Sequence, residues 1–233
     1  MASNIAHRRA AKTAHRKRVL ASRRAAEPVS LADKVRRAAA WPLYRCLLHD
    51  DIVEGGIGTV FLARRSPDGE IVLAAFLVDL FSLGIKDVVF QHIEESEFES
   101  VIASAGEAAP LYPVDPCYAR KLLREAAAYA ASLGLRPYRG FAAVELLFGE
   151  VRAWDCTEEF QFGCDGKPRY VVGPGESIRQ VARRVGTLVE RLGAEGFDFV
   201  IPVLEDEGVT DADAEDTRLD RAATPRDRPP APR

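Results

Sequence analysis

Asp79, Lys86 and Asp87 are the residues whose types and spacing lend themselves most readily to chemistry, because they gather at the exit of the most apolar stretch of the chain, Gly55 to Phe90. Two carboxylates beside an ammonium suit phosphate chemistry. A hard cation such as Mg²⁺ takes oxygen ligands, and a lysine stabilises charge that develops on a phosphoryl group. With Glu145 as a further ligand, these residues would make a metal-dependent phosphodiesterase or nuclease, and Mg²⁺ would be the one cofactor required. The plain alternative is that Asp79 caps a strand end and Lys86-Asp87 form an exposed turn. His49-Asp50-Asp51 with His92 is a weaker metal set. Cys156 and Cys164 lack the spacing of a structural zinc site, and Cys117 falls at the second position of a helix, where a thiol pKa is ordinarily lowered.

The second group is electrostatic. Residues 1–26 hold Arg8, Arg9, Lys12, Arg16, Lys17, Arg18, Arg23 and Arg24 and no acid, a local charge of +8 in a chain of net charge −3, which leaves −11 on the rest. Such an arm neutralises phosphates and releases counterions, giving salt-sensitive contact with nucleic acid, a ribonucleoprotein or an acidic partner. It contains no aromatic residue for stacking on bases. Arg179 and Arg183 add a second basic face on the last helix, together with Arg184 and Arg191.

These groups need elements to hold them. Gly58 to Arg64 and Ile71 to Asp79 flank Ser66-Pro67-Asp68-Gly69, where Pro presets φ, Asp folds back on its own backbone and Gly accepts φ > 0; this predicts a hairpin. Val88 to Ile93 supplies a third strand, so that Asp79 to Asp87 is a polar corner, and Leu43 to Leu48 reads as a strand before the hairpin, with a second short helix as the alternative. Helices are predicted from Ser30 through about Ala40, from Ser96 to Ala105 with Ser96 and Glu99 as a capping box, and from Asp115 to Leu133 with Pro116 at the first position. Others follow at Tyr138 to Phe148, with Glu145 outward, and at Glu176 to Leu192, with Ile178 inward. Glu158 to Gly163 and Arg169 to Val172 bracket Asp165-Gly166 as a second hairpin, and Phe197 to Val203 closes the fold as a strand.

Two comparisons with known architectures fail on residues. Gly55-Gly56-Ile57-Gly58 followed by strand, turn and strand is similar to the nucleotide loop of protein kinases. The position of the phosphate-pairing lysine, however, falls in Leu73-Ala74-Ala75, and no His-Arg-Asp or Asp-Phe-Gly follows. The glycines therefore read as a turn feeding the hairpin. Ribonuclease-H-like nucleases also open with three antiparallel strands, but Gly58 to Arg64 carries no carboxylate. The set Gly-Ile-Gly-Thr-Val-Phe-Leu-Ala-Arg, Phe-Leu-Val-Asp-(x)₃-Leu-Gly-Ile-Lys-Asp, Phe-Gly-Cys-Asp-Gly-Lys-Pro-Arg-Tyr and Gly-Pro-Gly-Glu-Ser resembles a family of uncharacterised bacterial proteins over residues 43 to 193. That resemblance implies a bacterial protein and no particular activity.

The chain is 47% hydrophobic and has no apolar run of about 18 residues, so no membrane span is expected. Nor does an apolar segment follow the basic start, as a secretory signal requires. The arm shares its acid-free Arg/Ala/Ser composition with organellar transit peptides, but the whole chain has the same Ala and Arg bias. Four cysteines without paired spacing suggest reduced thiols in the cytoplasm. After Leu204 only Val209 and Leu219 are sizeable apolar residues, too few to offset ordering entropy. The expectation is thus a disordered arm (1–29), a single α+β domain (30–203) and a disordered acidic, then Arg/Pro-rich tail (204–233). The domain is an antiparallel sheet of hairpins packed by two main amphipathic helices. Its expected role is non-enzymatic binding through the basic arm, with the Asp79/Lys86/Asp87 nuclease as the alternative.

Overall fold

Strands β1 (Leu43–His49), β2 (Ile57–Arg65), β3 (Ile71–Asp79), β4 (Gly84–Ile93) and β5 (Leu111–Pro113) make one antiparallel sheet in the spatial order β4-β3-β2-β1-β5. They are seen in a computed structural model that describes residues 30–52, 54–173 and 175–202. The basic arm and the C-terminal tail lie outside the described residues. The helices are α1 (Leu31–Ala38), α2 (Glu95–Ala108), α3 (Pro116–Ser132), α4 (Phe141–Val144) and α5 (Ile178–Leu192). A short parallel ribbon, β6 (Arg169–Val171) with β7 (Asp198–Val200), is joined through α5. The α+β class and the meander follow the expectation. Strand β5 on the free edge of β1 was not expected, since three residues are too short to show a period of two.

The β2–β3 turn works as its residues dictate. The Ser66 hydroxyl accepts from the Glu70 N–H at 3.0 Å, the Ser66 N–H donates to the Glu70 carbonyl at 2.8 Å, and Gly69 takes φ 91°. The register then runs unbroken from Arg65↔Ile71 to Ile57↔Asp79. Alternation sorts the side chains onto two faces. Val60, Leu62, Val72, Ala74, Phe76 and Val78 pack against α1, α3 and α4, meeting Leu122, Leu123, Ala126, Phe141 and Phe148. Phe61, Ala63, Ile71 and Leu73 meet Phe98 of α2 on the other face. Covered on both sides, β3 reads as continuous apolar sequence, and burying a residue such as Phe76 contributes about 1.5–3 kcal/mol.

Helix starts follow local chemistry. Ser30 accepts from the Asp33 N–H, Asp115 accepts from the Cys117 N–H at 2.8 Å with Pro116 at the first position, and Ser177 and Gln180 form a reciprocal capping box. Several expectations need correction. Helix α2 begins at Glu95 behind Glu94, so Ser96 is already helical and no Ser96–Glu99 box forms. The Tyr138–Phe148 helix is a single α-turn from Phe141 continued as a 3₁₀ turn over Glu145–Phe148. Helix α5 starts two residues later than expected, and Ile178 is 87% exposed. The second hairpin does not form. Its turn is present, with Asp165 at φ 53° and Gly166 at φ 79° under a Cys164↔Lys167 bridge. Its first arm instead lies along α3, with Phe160 edge-on to Tyr118 and Phe162 stacked on Tyr129, so aromatic packing replaces a strand ladder.

Candidate functional site

The β3–β4 connection is tighter than a polar corner. Strand β4 begins at Gly84, leaving only Leu80 to Leu83 as the turn. Asp79 is fully buried, and its Oδ1 accepts from the Phe81 and Ser82 N–H groups, each at 2.9 Å. Burial raises its pKa, opposed by the Ser82 N–H, Lys86 and the other turn amides. Asp79 is therefore a turn cap, and its Oδ2 and the Ser82 Oγ are buried without a partner. Gly84 adopts φ 64°, and a Cβ there would lie 2.6 Å from the Ala126 carbonyl oxygen, so glycine is what lets β4 start against α3. The Gly55–Gly58 loop is likewise structural: Gly56 takes φ 71°, and a Cβ on it would overlap the Phe81 ring.

The register jumps from Leu77↔Asp87 to Val78↔Ile85. Lys86 is the extra residue of this bulge, which re-aims its side chain. Lys86 Nζ faces Glu176 Oε1 at 4.0 Å, and Arg184 Nη1 approaches the same oxygen at 2.6 Å. The buried Tyr170 hydroxyl donates to Glu176 Oε2. Burial works against the Glu176 carboxylate, but Tyr170, Arg184 and Lys86 outweigh it and hold its pKa below the ordinary range. Burial, reinforced by Glu176, pushes the Tyr170 hydroxyl up to about 12, so Tyr170 acts as a fixed donor.

In front of this group lies a pocket of about 510 Å³ between the start of β4, the loop after α3 and the body of α5. Its floor is Leu83, Ile85 and Leu135. Its walls carry Lys86, Arg136, Arg183 and Arg184, with Tyr138 at 45% exposure. Among the described residues the four cations have one carboxylate, Glu176, pairing with two of them. Arg136 and Arg183 are exposed, and neither forms a salt bridge with an acidic residue among the described residues. Such an arrangement binds anions, and guanidinium forks match phosphate oxygens two at a time.

Of the residues named from sequence, Lys86, Arg183 and Arg184 meet in this pocket, while the carboxylates do not converge. Asp87 lies on the opposite sheet face from Ile85 and accepts its neighbour Val88's N–H. Glu145, expected outward, is buried and held by Arg120 Nε at 2.6 Å and Arg124 Nε at 2.7 Å. Among the described residues no three of His, Cys, Asp and Glu are grouped to hold a metal. His49 Nδ1 accepts from the Thr59 N–H and its Nε2 donates to the Ala105 carbonyl, while His92 sits edge-on to Trp41 and Phe90. Arg179 is exposed on α5, and Arg8, Arg9, Lys12, Arg16, Lys17, Arg18, Arg23 and Arg24 lie outside the described residues. The Cys117 thiol is not lowered as its helix position suggested; burial and the adjacent Asp115 carboxylate push it up to about 11.

Glu176, Tyr170 and Arg136 were not legible as site residues. The one available signal was the pair of glycines, Gly173 and Gly175, just before Glu176: the Glu176 N–H donates to the Gly173 carbonyl at 3.1 Å, and a Cβ on Gly173 would lie 3.3 Å from Glu176 Oε1 and 3.6 Å from Lys86 Nζ. No helix among the described residues is long and apolar enough to cross a membrane. Comparison with protein-family models, with curated proteins and with solved structures finds no match.

Proposed function

We propose that this protein is a binding module, not an enzyme, and that the pocket between β4 and α5 receives the phosphates of a single-stranded nucleic acid. The observation that carries this reading is the set of four cations, Lys86, Arg136, Arg183 and Arg184, around about 510 Å³ with Glu176 as the one carboxylate against them among the described residues. Tyr138 at the rim supplies the stacking surface that the arm lacks, and stacking of a base on an aromatic ring contributes about 1–3 kcal/mol. The +8 arm adds sequence-independent attraction to the same polyanion. The Mg²⁺-dependent alternative has no convergence of Asp79, Asp87 and Glu145 to support it. Titrating the full chain against a labelled single-stranded RNA at a series of salt concentrations tests the proposal. Affinity should fall steeply and log-linearly with salt; binding that is absent at low salt, or indifferent to salt, would count against it.

A further inference from the structure

Away from this pocket, Cys117 and Cys156 face each other across a different surface. Cys117 is the second residue of α3, and Cys156 directly follows a 3₁₀ turn (Ala153–Asp155) that packs on that helix. Both are free and half-buried, and both line one groove of about 320 Å³ with Val114, Asp115, Asp155 and Thr157. Cys156 lies close enough to act on the Cys117 thiol and adds to the rise in its pKa. The other two cysteines are placed differently: Cys46 is buried in the core, and Cys164 sits in the turn beside Asp165.

We infer that Cys117 and Cys156 form a redox pair that a hydroperoxide converts into an intramolecular disulfide. Cys156 is the attacking sulfur. Its thiolate takes the terminal peroxide oxygen, the O–O bond breaks and the alcohol leaves, so that Cys156 becomes a sulfenic acid. The Cys117 sulfur then attacks the Cys156 sulfur, the S–OH bond breaks and water leaves as the Cys117 proton is lost. In balance, two thiols and one hydroperoxide give one disulfide, one alcohol and one water. The assignment of roles follows from the surroundings, because Asp115 beside Cys117 disfavours its thiolate.

The link has a structural consequence. From Cys156 the chain runs along α3 in extended form, held by Phe160 on Tyr118 at 5.0 Å, Phe162 on Tyr129 at 5.2 Å, and the Lys121 ammonium donating to the Glu158 carbonyl. It covers a second pocket of about 300 Å³ floored by Ile52, Leu80 and Leu122. A Cys117–Cys156 disulfide anchors the start of this strap to the helix beneath it.

The test is peptide mapping of the full chain after hydrogen peroxide treatment, under non-reducing conditions. The expected product is one cross-linked peptide pair containing Cys117 and Cys156, with Cys46 still alkylatable after unfolding. The oxidised chain should melt about 5–10 °C higher than the reduced one and return to the reduced value with dithiothreitol. Cys117→Ser should leave Cys156 trapped by a sulfenic-acid probe, and Cys156→Ser should abolish the link from the other side. Two freely alkylated thiols, or cross-links from Cys156 to Cys164 or between chains, would overturn the pair. A link formed with unchanged melting would overturn the anchoring.

Discussion

Arg184 Nη1 lies 2.6 Å from Glu176 Oε1, the same oxygen that faces Lys86 Nζ at 4.0 Å. This one carboxylate fixes a guanidinium from α5 and an ammonium from the β4 bulge against each other, and so sets the back wall of the pocket before any ligand arrives. Pre-ordered cations bind an anion without losing further side-chain entropy.

Glu176→Gln tests that wall. The side chain is 11% exposed with three partners, so the variant should be less stable by about 2–3 kcal/mol in urea unfolding at pH 7. The sign with pH follows from its depressed pKa. The carboxylate's contribution is complete above the ordinary glutamate value of about 4.3 and is lost as pH falls through the lower folded value. The gap between native chain and variant should therefore narrow below pH 4; a constant gap would contradict the assignment.

Asp79 behaves oppositely. Its folded pKa is raised, so its stabilising contribution belongs to the protonated form: it is present below about pH 4 and is lost as pH rises through the folded value. Asp79→Asn keeps an oxygen for the Phe81 and Ser82 amides and removes a buried charge, and it should be at least as stable as the native chain at pH 7. Asp79→Ala removes the cap and should cost about 1–2 kcal/mol, read from the shift in urea midpoint. The same pair separates turn capping from catalysis, for which both variants would be equally inactive.

Two glycines should respond with opposite signs. Gly84→Ala places a methyl group 2.6 Å from the Ala126 oxygen at φ 64° and should cost about 3 kcal/mol or more. A Cβ on Gly186 inside α5 meets nothing within 4 Å, so Gly186→Ala should stabilise by up to about 1 kcal/mol. Thermal unfolding of both variants beside the native chain reads both effects.

The sheet was legible because β2 and β3 carry their own turn chemistry in Ser66 to Gly69, and α1 and α3 announce their starts in Ser30 and Asp115-Pro116, whereas the Ser177 cap of α5 falls inside the helix expected from Glu176. What the sequence hid were effects of tertiary contact. The bulge at Lys86 and the close approach of Gly84 to Ala126 are both features that no local pattern encodes. Glu145 looked like a surface acid because its partners Arg120 and Arg124 lie on another helix. Arg64 looked like the end of a strand, yet it is buried and donates to the carbonyls of Trp41, Leu147 and Phe148, tying β2 to two distant segments. The pocket itself assembles from residues near 86, 136 and 184, brought together only by the packing of β4, α3 and α5.

The proposed strand-binding role is tested most directly by neutralising the two exposed pocket arginines. Arg136→Ala with Arg183→Ala, with the basic arm intact, should fold as the native chain does and be titrated against the same labelled single-stranded RNA. The expected result is an affinity about 10-fold or more weaker, with a salt slope shallower by about 1.4, the loss of two phosphate contacts at about 0.7 each. Unchanged affinity and slope in a folded double variant would contradict the pocket as the binding site.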